Sequence, residues 1–170
     1  MAKRRVLKWR AHPQGWMKIN FDGAFDSGTS RAAVGFVVRD DTGTYMDAAG
    51  KIIYHIVSAE HAELVTCREA IGFVINHSLH LVIFETYCLT LKQQLCQTRT
   101  QNISALGRLY DDISEDLGSI PNSRLVHARR EANKVAHLLA AHASAHDLDF
   151  YWSHAPFFIQ DVINEEKFVL

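Results

Sequence analysis

Residues 16–24 read Trp16-Met17-Lys18-Ile19-Asn20-Phe21-Asp22-Gly23-Ala24. Met17, Ile19 and Phe21 alternate with Lys18, Asn20 and Asp22, the period-two pattern of a strand with one face in a core. That reading puts Asp22 at the strand's end, beside a glycine that permits backbone conformations a side chain would hinder. A lone acid there is an ordinary solvated or turn-capping residue. It becomes chemistry only when other acids converge on it from distant parts of the chain.

The chain around this strand has 170 residues, 48% hydrophobic and 22% charged, enough to bury one core and therefore to form one compact domain. Its formal net charge of −1 excludes a broad, strongly basic surface for nucleic acid, but the charge is unevenly spread. Lys3, Arg4, Arg5, Lys8, Arg10 and Lys18 all precede the first acid, whereas residues 147–170 carry Asp147, Asp149, Asp161, Glu165 and Glu166 against Lys167. Residues 1–15 thus read as a basic arm, able to meet phosphates or serve as a nuclear address, or as a solvated end. Residues 16–146 read as the domain, and residues 147–170 as an aromatic and acidic extension.

Cys67, Cys88 and Cys96 are an odd set without Cys-x-x-Cys spacing, as expected of reduced thiols in a cytoplasmic or nuclear protein. No apolar run reaches the ~18 residues of a membrane span, and the N-terminus lacks the apolar stretch of a secretory signal. The ten histidines have no zinc-ligand spacing, and no Gly-x-Ser-x-Gly elbow supports a serine nucleophile.

In chain order, residues 32–39 read as a second strand, Asp40-Asp41-Thr42-Gly43 as a hairpin turn, and residues 44–56 as a third strand. Ser58 is placed to cap a helix over residues 59–75. Residues 79–84 form a buried strand, and helices follow over 89–98 and 104–117. Residues 125–128 make a last short strand, and residues 131–145 an Ala- and Leu-rich helix. The expected architecture is α/β: a five-stranded mixed sheet, three antiparallel strands then two parallel-type, flanked by helices in the order βββαβααβα.

With these stretches assembled, the chain resembles a ribonuclease H-like domain, most closely the plant retroelement-derived, reverse-transcriptase-associated branch. The matching motifs are WMKINFDGAF (16–25), AVGFVVRD (33–40), Ala62-Glu63-Leu64, VIFETYCLTL (82–91) and REANKVAHLLA (130–140), and they span nearly the whole chain. The resemblance implies hydrolysis of RNA in an RNA–DNA hybrid by two divalent ions, Mg²⁺ or Mn²⁺, held by hard oxygen ligands. It also implies four acidic positions, of which this sequence fills two.

Asp22 matches the first-strand acid and Glu63 the first-helix acid. Where the family pattern has Glu-Thr-Asp, this chain has Glu85-Thr86-Tyr87, and where the last helix has its acid, this chain has His137. The tyrosine is the graver departure, because a phenol with a reference pKa of about 10 is no anionic ligand at neutral pH. Glu85 lies two residues away along the strand, roughly 6.7 Å, too far to stand in; Glu60, one turn before Glu63, is a first-turn acid favoured by the helix dipole.

The expectation is a two-metal site that is weak or lost, with at most one Mg²⁺ or Mn²⁺ held weakly by Asp22 and Glu63. Nucleic-acid binding outlives cleavage, since phosphate contacts need no metal, and Arg129, Arg130 and Asn133 at the start of the last helix are its candidate contacts, with Arg31 and Arg39 further ones. The alternatives are a protein-interaction module on an inactive scaffold, engaging a partner or a second copy through residues 147–170, and a still active hybrid ribonuclease.

Overall fold

The structure, a computed structural model, describes residues 10–96 and 105–167. The basic residues Lys3, Arg4, Arg5 and Lys8, and the segment expected to join the two middle helices, lie outside the described residues.

Strands β1 (Met17–Asp26), β2 (Arg31–Arg39) and β3 (Tyr45–Tyr54) form an antiparallel meander. Asp40 closes the β2–β3 turn by accepting from the backbone N–H groups of Thr42 and Thr44, both at 2.9 Å, and Gly43 supplies the positive φ of 79°. Helix α1 (Ala59–Asn76) crosses over to β4 (Val82–Thr86), which runs parallel to β1, and β5 (Ser123–His127) runs parallel to β4. Ser58 caps α1 as expected, its side chain accepting from the His61 N–H at 3.1 Å. Helices α2 (Leu89–Cys96) and α3 (Gly107–Ser119) pack with α1 on one face of the sheet. Helix α4 (Lys134–His146), preceded by a 3₁₀ turn at Arg130–Ala132, packs on the other face.

The sheet has six strands where five were expected, in the order β5-β4-β1-β2-β3-β6. The extra one, β6 (Phe150–Trp152), is antiparallel to β3 through Ala48–Trp152, Ala49–Tyr151 and Gly50–Phe150. Three residues are too few to show alternation in a sequence. Helix α5 (Phe157–Lys167) then returns across α4, burying Ile159 and Ile163 against Val37, Ala48, Val135 and Leu139. The extension is thus built onto its own sheet.

Two expectations about β1 change. Asp22 is not at the strand's end: β1 continues to Asp26, with Asp22 opposite Gly35. On the other side, however, the parallel ladder to β4 stops at Asn20–Glu85, so Asp22 lies just beyond it. Gly23 is required for space, since a Cβ there would run into the Thr66 hydroxyl of α1.

The described core is one main cluster of β1, β2, β4, α1 and α3 residues, among them Ile19, Phe21, Leu64, Ile71, Phe84 and Ile113. No described helix is long and apolar enough to cross a membrane.

Candidate functional site

Asp22 points from β1 toward α4 and is 4% exposed. Its Oδ2 accepts from His137 Nδ1 at 2.9 Å, while the rest of the imidazole remains about half exposed. His137 reaches this place because α4 lies almost on the β-sheet backbone at Gly35, where a Cβ would collide with the Ala136 carbonyl and the Ala140 N–H. Asn133, just before α4, holds the helix start: its Nδ2 donates to the Phe21 carbonyl at 2.7 Å, one residue before Asp22.

Glu63 comes from the second turn of α1. Its Oε1 accepts from the Tyr87 hydroxyl at 3.1 Å, and its Oε2 is buried with no hydrogen-bond partner among the described residues. Burial, and then the nearby Asp22 carboxylate, push the Glu63 carboxyl up from 4.5 to about 7, with the Tyr87 hydrogen bond opposing. Burial and the same two acids push the Tyr87 phenol upward, so it stays a neutral donor. Its backbone is fixed from β5, where His127 Nε2 donates to the Tyr87 carbonyl at 3.0 Å.

The two acids open into different clefts. Asp22, Tyr87 and His137 line one of about 410 Å³ together with Arg130, Glu131, Asn133 and Lys134, closed on its far side by Val162, Glu165 and Glu166 of α5. Glu63 lines another of about 310 Å³ with Glu60, Cys88 and Tyr110.

The candidate substitutes for the missing acids are engaged elsewhere. Glu85 is buried, ion-paired to Lys18 Nζ at 3.0 Å and accepting from Asn20 Nδ2 at 2.9 Å. Glu60 accepts from the Tyr110 hydroxyl at 2.7 Å. Mg²⁺ and Mn²⁺ need several oxygen donors converging on one point, and among the described residues no three His, Cys, Asp or Glu side chains converge in that way. A neutral phenol stands on one acid and an imidazole on the other, so the donor set does not fit a pair of divalent ions.

Of the candidate nucleic-acid contacts, Arg129 and Arg130 are exposed and Arg130 lines the Asp22 cleft, whereas Asn133 is 3% exposed and serves the backbone. Arg39 is corrected outright: it is buried and ion-paired to Glu166 Oε2 at 2.6 Å. Arg31 is paired to Asp147. Sequence reasoning missed Lys134 and the α5 wall; Lys134 was legible as the exposed cation one turn before His137, but nothing local marked α5. The three cysteines are free: Cys67 is buried, Cys88 half-buried and Cys96 exposed.

The Reverse transcriptase-like family matches residues 20–143. No curated protein matches the chain. Among solved structures, the chain is similar to RNase H1 from the halophilic archaeon Halobacterium salinarum NRC-1, with 23% identity and a TM-score of 0.70 over 78% of this chain and 99% of that one. It is similar to LC11-RNase H1, isolated from compost by a metagenomic approach, with 18% identity and a TM-score of 0.69 over 79% and 99% of the two chains. LC11-RNase H1 in complex with an RNA/DNA hybrid aligns at 19% identity and a TM-score of 0.63 over 72% and 92%. These likenesses establish the fold.

Proposed function

Because the chain belongs to the reverse transcriptase-like family and has the ribonuclease H-like fold, we propose that it is a nucleic-acid-binding domain whose two-metal hydrolysis is weak or lost. We place it in the plant retroelement-derived branch on its motifs, with a cytoplasmic or nuclear home. The observation that carries this reading is the Tyr87 hydroxyl seated on Glu63, where the resemblance calls for a second carboxylate. Two divalent ions bring four positive charges within roughly 4 Å of each other, and Asp22 and Glu63 offset at most half of that; they hold at most one Mg²⁺ or Mn²⁺, weakly.

Binding draws on other atoms. Arg130 and Lys134 line the Asp22 cleft, with Arg129 beside them in sequence, and cations so placed meet phosphates without any metal. RNA–DNA hybrid is the first ligand to test, given the hybrid bound to LC11-RNase H1. The modest net charge makes this binding weak and salt-sensitive.

A second reading is a protein-interaction module. It is favoured by the exposure of Phe157 (89%) and Tyr151 (56%) on the extension, and concentration-dependent size in solution, lost in Phe157→Ser, would support it.

The deciding experiment incubates the purified chain with a labelled RNA–DNA hybrid in Mg²⁺ or Mn²⁺. Retarded migration without cleavage is expected. Vigorous cleavage abolished by Asp22→Asn would overturn the proposal and return the chain to the active hybrid ribonucleases.

A further inference from the structure

On the sheet face opposite the Asp22 cleft, a trough of about 670 Å³ lies between α1 and the β3–β6 edge, within the size range of ligand sites. The sheet contributes Phe36 and Tyr151 and the helix contributes Arg68, Gly72 and Phe73. The rings form a group: Phe73 is 5.3 Å from Phe36 and 6.4 Å from Tyr151 between centroids, with His77 stacked on it at 4.0 Å; Phe36 and Phe73 are buried, and Tyr151 and His77 are the exposed members. Tyr151 is held in place, its hydroxyl donating to Asp47 Oδ1 at 2.5 Å, yet 56% of the residue is exposed.

Gly72 and Gly118 are helical glycines that the chain's own packing does not explain, and of the two Gly72 lines the trough. Glycine is the poorest helix former after proline, this one sits in the fourth turn of α1, its φ is not positive, and a Cβ would meet nothing within 4 Å. Neither backbone strain nor internal contact calls for it. A bare backbone facing a trough is what close approach by a ligand requires.

The polar groups narrow the ligand's chemistry. Lys51 is paired with Glu69 at 2.6 Å, and Asp149 accepts from the Ile52 N–H at 2.8 Å, so those charges are committed to the protein. Arg68 and Asn76 are exposed on the helix rim. A bare anion has no use for the exposed Tyr151 ring, and an aliphatic chain none for the guanidinium. A planar base carrying a phosphate uses both, because aromatic rings stack on any base and a guanidinium matches phosphate geometry.

We infer that this trough binds a nucleotide, its base against Tyr151 over Gly72 and its phosphate at Arg68. The site is separate from the Asp22 cleft and the inference does not rest on the function proposed there.

The test titrates the full-length chain with adenosine monophosphate and, separately, with a six-nucleotide single-stranded oligo(dA), following the backbone amide resonances of Gly72 and Asn76. Both resonances are expected to move on addition of the mononucleotide. Gly72→Leu, which favours the helix and fills the trough, and Arg68→Ala are each expected to weaken binding by about tenfold or more, with thermal midpoints not below that of the wild type. Equal affinity for the two probes identifies a free nucleotide as the source of the base; tighter binding of the oligomer identifies an unpaired strand. Still resonances at millimolar mononucleotide, or wild-type affinity in Gly72→Leu, would overturn the inference.

Discussion

Asp22 and Gly35 face each other across the β1–β2 ladder, and it is the missing side chain of Gly35 that lets α4 descend far enough for His137 to reach Asp22. The small residue and the acid form one device. Gly35 sets the height of the helix, and the height of the helix sets the 2.9 Å contact at the carboxylate.

Gly35→Ala therefore pushes a methyl into the Ala136 carbonyl and the Ala140 N–H. Backbone cannot swing aside as a flexible side chain does, so a loss of about 3 kcal/mol is expected. Urea denaturation reads it directly, and an unchanged midpoint would refute the close approach.

Arg39 and Glu166 form a buried ion pair between β2 and α5. Glu166→Ala removes the carboxylate from a guanidinium that stays buried, a loss of about 3 to 5 kcal/mol. Arg39→Met combined with Glu166→Leu is expected to recover most of it, because an apolar pair carries no desolvation cost. Equal losses in the single and double variants would contradict this account.

Metal binding gives a contrast between chains. Calorimetric titration of the wild type with Mn²⁺ is expected to show little heat. Tyr87→Asp with His137→Asp, which puts carboxylates at both departing positions, is expected to bind Mn²⁺ and to cleave hybrid measurably. A wild type that binds two ions tightly would defeat the electrostatic argument.

Glu63 makes stability depend on pH. Below about pH 4.5 its carboxyl is protonated in the folded and the unfolded chain alike. Between about 4.5 and about 7 the unfolded chain releases the proton while the folded chain keeps it, so this group's contribution falls as pH rises, by on the order of 1–3 kcal/mol, and levels off above about 7. Denaturation midpoints of wild type and Glu63→Gln across that window are expected to converge at low pH and separate at high pH, with the wild type the less stable there.

Phosphate contact by Arg130 has a signature in salt. Arg130→Ala is expected to weaken hybrid binding at low ionic strength and to reduce the slope of log affinity against log salt by about 1. A slope identical to wild type would remove Arg130 from the interface.

What local order can encode was legible in the sequence. The alternation in residues 17–21, the Ser58 cap, the Asp40–Gly43 turn and the helical periods of α1 and α4 each depend on residues within a turn or two of one another. So does the identity of Tyr87 and His137 at motif positions that call for acids. Element ends moved by a few residues, as with α4, which begins at Lys134 after a 3₁₀ turn.

Only the tertiary structure decided who meets whom. Arg39 and Glu166 are 127 residues apart, Asp22 and His137 are 115 apart, and Asn20 and Glu85 are 65 apart. Each pair was a set of ordinary polar residues until the sheet order and helix heights brought them together, and β6 exists only because β3 offers an edge to pair with. Periodicity reports which face of an element is buried, since that depends on near neighbours. It carries no distance between elements, and distance is what turns Asp22, Glu63, Tyr87 and His137 from motif positions into one hydrogen-bonded, electrostatically coupled group.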